Sequence, residues 1–166
     1  MGTNRLMRES RDIQAEMRKS EDPEIRLYPD ENNIFHWRGF IKGPADSPYE
    51  GGYFQLDLKI PQRYPLSPPV IRFVTKIFHP NVHAKTGEIC LDILKTAWSP
   101  AWTLSSTCRA ILVLLSHPEP DSPLNCDAGN LLRGGDERGF RSLAKMYTSL
   151  CALEKDSMGA SSSGAR

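Results

Sequence analysis

The chain has 166 residues, with 21 lysines and arginines against 20 aspartates and glutamates, which suits one domain and argues against general nucleic-acid binding. Its cysteines form no Cys-x-x-Cys pair and follow no signal peptide, so we expect reduced thiols in the cytosol. No apolar run approaches the ~20 residues that a membrane span needs, so we expect no direct membrane insertion.

Residues 4–19 are predicted to form an amphipathic helix. The apolar residues Leu6, Ile13 and Met17 can share one face of it. Arginine recurs at every third position on another face, as Arg5, Arg8 and Arg11. On the charge pattern alone, these arginines indicate a solvated helix face.

After Pro23, three runs rich in β-branched and aromatic residues are separated by turn sequences and predict antiparallel strands over 25–27, 34–41 and 53–60. In the third run apolar and polar residues alternate, which predicts that one face packs on helices. The other face meets water or a partner. Ordinary solvated strand surface is the simplest interpretation of that face.

Residues 64–69 contain three prolines and predict a rigid, bent loop before a short strand over 70–74. The stretch 78–94 then combines a bend at His79-Pro80-Asn81, a turn at Gly87 and a cysteine, Cys90. A bend followed by a thiol on a short ordered segment is one way to present a nucleophile. A zinc site built on His79, His83 and Cys90 would lack a fourth ligand, so we expect no metal.

The C-terminal half is predicted to be helical. Thr103 can cap a helix whose apolar stripe includes Cys108, which we expect to lie in the core. Two more helical segments are predicted over 124–132 and 136–153, and pairing of Cys108 with Cys151 stays open if their helices touch. Residues 156–166 offer nothing to bury, so we expect a disordered tail after a single domain of residues 1–155.

Several motifs occur in an order typical of one family. They are Phe35-His36-Trp37, the proline-rich loop 64–69, His79-Pro80-Asn81, the segment 90–94 and Trp98-Ser99-Pro100-Ala101. From about residue 5 to residue 150 the chain resembles the ubiquitin-conjugating enzymes, or E2 family. The resemblance implies an α+β fold, the E2 (UBC) fold, with a four-stranded antiparallel sheet, an N-terminal helix and a C-terminal helical half. It also implies a cis bond between Tyr64 and Pro65.

By this resemblance, Cys90 accepts ubiquitin from the activating enzyme E1 as a thioester. With a RING ligase (E3), it then passes ubiquitin to a substrate lysine or cysteine. A thiolate is a far better nucleophile than a thiol, and a free cysteine with a pKa of about 8.5 needs only modest help to take an already activated acyl group. No cofactor is expected, because E1 delivers ubiquitin as an already activated thioester and no ATP is needed at this step.

Asn81 matches the family position that stabilises the tetrahedral oxyanion, a contribution of ~3 kcal/mol. The alternative is that its amide ties down its own bent loop, and both roles can hold. The resemblance assigns His79 mainly to structure. One more residue separates Asn81 from Cys90 than in common family members. Three further polar residues are expected to support the attack: Asp92, the gate residue Ser122, and Asp121, which could supply a carboxylate where the gate has serine.

The resemblance also predicts partner surfaces. E1 and E3 would contact Arg5 and Arg8 on the first helix together with Leu66, Pro100 and Ala101. For Leu66, packing as a satellite of the core is the alternative. The family's register would place Arg26, Tyr28, Arg38 and Lys42 on the open sheet face, called the backside in this family. Of these, Arg26 and Tyr28 would bind an adaptor. Arg26 stands where other members carry a serine implicated in ubiquitin binding, which favours a dedicated adaptor over ubiquitin.

The segment 117–140, and within it the run 125–130, is especially similar to the peroxisomal members of the family. This implies peroxisomal import receptors as substrates and RING ligases of the peroxisomal membrane. It also implies recruitment from the cytoplasm to the cytosolic face of that membrane by a membrane-anchored peroxin on the backside. The alternatives are a general cytosolic E2 with other substrates and a non-catalytic E2-variant module that binds ubiquitin. Such variants lack the thiol that Cys90 provides.

Overall fold

The computed structural model describes residues 2–159, which form an α+β domain. Its N-terminal half contains α1 (Gly2–Met17) and four strands: β1 (Ile25–Asp30), β2 (Asn33–Lys42), β3 (Tyr53–Lys59) and β4 (Val70–Phe73). Its C-terminal half is helical: α2 (Leu104–Ser116), α3 (Cys126–Arg133) and α4 (Glu137–Cys151). Short 3-10 helices span Asp92–Leu94 and Lys155–Gly159. The predicted fold class is confirmed.

The strands form one antiparallel sheet in the order β1-β2-β3-β4. In β3 the predicted alternation holds, because Phe54, Leu56 and Leu58 are fully buried while the residues between them are partly exposed. The inner face of the sheet therefore packs on helices, as predicted. The outer face carries Tyr28 and Arg38, which are paired across β1 and β2.

The core lies between the inner face of the sheet and helices α1 and α2. In α2, Leu104, Cys108 and Ile111 are completely buried, as the apolar stripe predicted. The helix starts where expected, because the hydroxyl of Thr103 accepts from the Ser106 backbone N–H and the Ser106 hydroxyl accepts from the Thr103 N–H. This capping box fixes the first turn of α2.

The C-terminal segment differs from the prediction of a disordered tail over 156–166. The chain after α4 pairs with the start of β3 through two backbone hydrogen bonds between Tyr53 and Leu153. It then forms the 3-10 helix Lys155–Gly159, and Met158 is buried against Phe40 and Tyr53 on the outer face of the sheet. The buried methionine explains the order, since one apolar side chain covers an otherwise exposed aromatic pair. Residues 160–166 lie outside the described residues.

The proline-rich loop is bent as predicted, and the Tyr64–Pro65 peptide bond is cis. The indole of Trp98 donates a hydrogen bond to the Pro65 carbonyl at 2.9 Å and packs against the Tyr64 ring. These contacts join the loop to the segment that follows the 3-10 helix Asp92–Leu94. Leu66 projects from the loop with 62% of its surface exposed, so it is free for a partner rather than packed against the core.

Candidate active site

Cys90 lies at the end of a small hairpin that folds against the sheet. Its backbone N–H donates to the Asn81 carbonyl at 2.8 Å, just beyond an isolated bridge between Val82 and Ile89. The side chain is half-buried and faces a groove of about 1130 Å³. The structure therefore holds the thiol on a fixed backbone while leaving it accessible, which a nucleophile requires.

The hairpin accommodates the eight residues that separate Asn81 from Cys90. His83 and Glu88 close it with a backbone hydrogen bond, and the Gly87 carbonyl accepts from the Phe73 N–H of β4 at 2.9 Å. Gly87 has a φ of 73°, and a Cβ built on it would lie 1.9 Å from the Phe73 carbonyl oxygen. Only glycine permits this approach, which keeps the hairpin docked beside the groove.

The groove continues from Cys90 along the exposed side of α2 towards α1. Near the thiol its lining includes Asn81, Asp92 and Ser122, and along α2 it includes Arg109 and Val113. Val113 is 56% exposed although it is apolar. The groove is thus long and open, and it can accept an extended chain that ends at the thiol.

The Asn81 side chain is completely buried and bonded to the gate loop, residues 117–123. Its amide nitrogen donates to the carbonyls of Glu119 at 2.8 Å and Ser122 at 3.3 Å, and its oxygen accepts from the Glu119 N–H at 2.8 Å. Both amide protons are therefore engaged. This geometry favours the loop-tying role, while stabilisation of an oxyanion by Asn81 stays a prediction.

His79 is buried, and two hydrogen bonds define its tautomer. Its Nε2 donates to the Leu114 carbonyl at 2.9 Å, so Nδ1 carries no proton and accepts from the Asn81 N–H at 3.0 Å. Burial lowers the pKa of His79 to about 4. The ring is therefore neutral near pH 7 and links the hairpin to α2. This agrees with the structural role assigned to His79.

Neutral, buried His79 predicts a pH-dependent stability. Its pKa is about 4 in the folded chain and about 6.5 in the unfolded chain. Between these pH values the unfolded chain binds a proton that the folded chain does not, so the free energy of unfolding falls as the pH is lowered from about 6.5 to about 4. We expect the free energy of unfolding to drop by about 2 kcal/mol more in the wild type than in His79→Gln between about pH 7 and pH 5. Urea titrations at both pH values measure this, and parallel losses in the two proteins would contradict it.

Of the three supporting residues, Asp92 and Ser122 reach the groove near Cys90, whereas Asp121 is not part of its lining. Asp92 begins the 3-10 helix that follows the thiol, and its carbonyl accepts from the backbone N–H groups of Lys95 and Ala97. All three side chains are exposed and make no hydrogen bond among the described residues. Asp92 and Ser122 are therefore free to approach a nucleophile that enters the groove.

The other three cysteines do not line the groove that Cys90 faces. Cys108 is buried in α2, and burial raises the pKa of its thiol to about 12. Cys126 is exposed in the first turn of α3, and Cys151 is half-buried at the end of α4. All four cysteines are free thiols. In the described part of the chain, no three His, Cys, Asp or Glu side chains are placed to hold a metal ion.

The residues predicted for E1 and E3 binding lie on neighbouring segments. Arg8, Leu66, Pro100 and Ala101 are exposed. Arg5 is half-buried, and its guanidinium donates to the carbonyls of Pro100 at 3.0 Å and Trp102 at 2.9 Å. Arg5 is thus already engaged within the chain, which sequence reasoning could not anticipate because these partners lie 95 and 97 positions away.

On the outer face of the sheet, the two predicted adaptor residues differ. The Arg26 side chain is only 11% exposed and is bonded to Asp22, the Pro23 carbonyl and the Met158 sulfur. It is therefore not available to an adaptor, in contrast to the prediction. Tyr28 is 36% exposed. Beside it lies Arg38, whose guanidinium covers the Phe40 ring and whose Nε is buried without a hydrogen-bond partner among the described residues.

Within residues 2–159, no helix is long and apolar enough to cross a bilayer.

Three comparisons place this geometry among known proteins. Residues 5–148 match the family model of the ubiquitin-conjugating enzyme. The chain is 65% identical to protein PEROXIN-4 of Arabidopsis thaliana, covering 91% of this chain and 95% of that protein. It is 60% identical to the ubiquitin-conjugating enzyme E2 pex4 of Dictyostelium discoideum, covering 88% and 96%. Its fold superposes on H. polymorpha Pex4p, solved in complex with the soluble domain of Pex22p, with a TM-score of 0.87, 40% identity and coverage of 92% and 99%.

Proposed function

The chain belongs to the ubiquitin-conjugating enzyme (E2) family, and we propose that Cys90 is the residue on which it carries ubiquitin. It is an E2 of the Pex4 type. The Cys90 thiolate attacks the thioester carbonyl that joins ubiquitin to E1, and the E1 cysteine leaves as a thiolate. An acceptor amine or thiol then attacks the new thioester, loses its proton, and releases the Cys90 thiolate. No ATP is consumed at this site, because the acyl group arrives activated.

The observation that supports Cys90 most directly is its position at the end of the groove. A half-buried thiol fixed by its backbone bond to Asn81 can be reached by an extended peptide tail lying along α2. Holding both reacting groups in place lowers the entropic part of the barrier. The exposed apolar Val113 and the cation of Arg109 offer contacts for such a tail and for the modifier that follows it.

Around the thiol, Asp92 and Ser122 orient and partly desolvate the acceptor. Asp121, on the exposed gate loop, lies outside the groove and reaches an acceptor only if the gate moves towards Cys90. An acceptor cysteine needs less base assistance than a lysine, because its pKa of about 8.5 lies nearer neutrality than ~10.4. A gate with serine instead of a carboxylate suits such an acceptor.

E1 and RING ligases bind the surface formed by Arg8, Leu66, Pro100 and Ala101, which are exposed on three adjoining segments. A shared site means that E1 leaves before the ligase binds. Small, weak interfaces suit such an exchange. Exposed Leu66 supplies the apolar centre of this surface, and Arg8 supplies a charge at its edge.

We extend the proposal to the cellular role: the protein is recruited from the cytoplasm to the peroxisomal membrane by a membrane-anchored adaptor that binds the outer face of the sheet, and its substrates are peroxisomal import receptors. Support comes from the similarity to Pex4p solved with the soluble domain of Pex22p. On this face Tyr28 is exposed, and half-buried Arg38 lies opposite it across β1 and β2. These two replace Arg26 as the residues expected to contact the adaptor, because Arg26 is engaged with Asp22.

For the adaptor, we expect Tyr28→Ala to weaken binding of the soluble domain of the cell's own Pex22p counterpart by at least about tenfold, because a buried aromatic residue dominates many interfaces. Isothermal titration calorimetry measures the affinity. The matched control is Tyr147→Ala, since Tyr147 in α4 is also 36% exposed but lies outside the sheet. Charging by E1 should be normal in both variants. Equal affinities for the two variants would reject the outer face as the adaptor site.

The function itself is tested by incubating the protein with E1, Mg-ATP and ubiquitin. We expect one added ubiquitin on a non-reducing gel, lost on treatment with reductant. Subsequent addition of free lysine or cysteine should discharge the adduct. A protein that binds ubiquitin without forming this adduct would be a non-catalytic ubiquitin-binding module instead. A charged enzyme that fails to modify peroxisomal receptors in reconstituted membranes would be a general cytosolic E2.

A further inference from the structure

A buried carboxylate in α1 joins three segments of the proposed docking surface. Glu9 is only 5% exposed. Its Oε1 accepts from Arg5 Nε at 2.6 Å and from the Tyr64 hydroxyl at 2.6 Å, and its Oε2 accepts from the Leu104 backbone N–H at 2.8 Å. The carboxylate therefore contacts the proline-rich loop and the first residue of α2 from α1.

Arg5 extends this network to a third segment. While its Nε binds Glu9, its terminal nitrogen donates to the Pro100 and Trp102 carbonyls. The guanidinium carbon also lies 5.8 Å from the centre of the Tyr64 ring. The ion pair thus ties the segment 98–103 and the proline-rich loop 64–69 to the same helix.

A buried ion pair of this kind is often no more stabilising than apolar side chains of similar volume, because desolvation offsets the attraction. What it supplies is geometry, since each hydrogen bond fixes one segment relative to α1. Those segments carry Leu66, Pro100 and Ala101, which are exposed beside Arg8.

We propose that Glu9 is a positioning residue for the surface that docks E1 and RING ligases, acting through Arg5 and Tyr64. The proposal depends on the proposed function, because it assigns a role within that docking surface. Glu9 itself is too buried to contact a partner directly. Its contribution is to order the exposed residues before binding, which removes the entropic cost of ordering them on the partner.

The substitution Glu9→Gln tests this with little change in shape. The amide oxygen can still accept from the Leu104 N–H and preserve the start of α2. The amide nitrogen then faces Arg5 and Tyr64 and cannot accept the hydrogen bonds that these two side chains donate. Steady-state charging with E1, Mg-ATP and ubiquitin gives the KM of E1 for this protein and the kcat. We expect the KM to rise about tenfold and the kcat to change less than about twofold.

Two further variants make the result interpretable. Glu16→Gln is the matched control, because Glu16 lies on the same helix, is 59% exposed and pairs with exposed Lys19; its KM should equal that of the wild type. Tyr64→Phe removes one donor to Glu9 and should raise the KM about threefold. If Glu9→Gln does not fold, Tyr64→Phe decides alone.

The outcomes separate this inference from the proposed function. A wild-type protein that is never charged would reject the proposed function. In Glu9→Gln, a fall in the kcat of charging with no change in KM would overturn the positioning role, as would a lower melting temperature with an unchanged KM. In Tyr64→Phe, a KM equal to that of the wild type would overturn it as well.

Discussion

Replacing Cys90 with alanine is expected to abolish the reductant-sensitive ubiquitin adduct, with a loss on the order of 10³-fold or more in charging rate. Alanine removes the thiol that we propose to carry the acyl group. The fold should be unaffected, because Cys90 is half-buried at the groove and not part of the apolar core. Non-reducing gels of a reaction with E1, Mg-ATP and ubiquitin measure the effect, and circular dichroism checks the fold.

A serine at the same position should give a different result. The hydroxyl can accept the acyl group as an oxygen ester, more slowly than the thiol, and this ester resists reductant. Cys90→Ser is therefore expected to form a weak, stable adduct in place of the labile one.

The matched control for both variants is Cys126→Ser, because Cys126 is an exposed thiol in the first turn of α3. It should be charged normally. Cys108 cannot substitute for Cys90, since burial raises the pKa of its thiol to about 12. A labile adduct that survives in Cys90→Ala and disappears in Cys126→Ser would move the carrier role to α3.

Much of this architecture follows from local patterns. The alternation in β3, the capping residue Thr103 and the apolar stripe of α2 each depend on neighbours within a few positions, so their predictions were confirmed. The bend at His79-Pro80-Asn81 and the turn before Cys90 could also be predicted, because proline fixes φ and glycine permits the positive φ that Gly87 adopts. The family motifs added the cis Tyr64–Pro65 bond, which the structure has.

What escaped prediction depends on contacts between distant parts of the chain. The sequence predicted Arg26 as an exposed cation, but in the structure its guanidinium donates to Asp22 and to the Met158 sulfur. Met158 resembled part of a structureless tail, because nothing nearby in the sequence reveals that it covers Phe40. Glu9 gave no signal at all, since a glutamate on an amphipathic helix is usually solvated.

The role of Asn81 can be resolved by replacing it with serine, for which we expect charging to be retained and discharge onto free lysine to slow by about 10²–10³ if its amide stabilises the oxyanion. Serine also removes the three hydrogen bonds that join the side chain to Glu119 and Ser122. At about 1 kcal/mol each, their loss should lower the free energy of unfolding by about 3 kcal/mol. Single-turnover rates and urea titrations measure the two effects separately.

A variant of similar stability distinguishes the two roles of Asn81. Leu56→Ala removes a fully buried side chain from β3, with an expected cost of about 2–5 kcal/mol, and leaves Asn81 in place. If Asn81 acts on the oxyanion or by holding the gate, discharge should be slow only in Asn81→Ser. Equal slowing in both variants, or equal slowing of charging and discharge in Asn81→Ser, would indicate a folding role alone. Hydrogen exchange in residues 117–123 of Asn81→Ser then distinguishes the gate role from the oxyanion role. If Asn81 holds the gate, we expect faster exchange in these residues together with slower discharge. If Asn81 stabilises the oxyanion, we expect slow discharge while these residues stay protected from exchange.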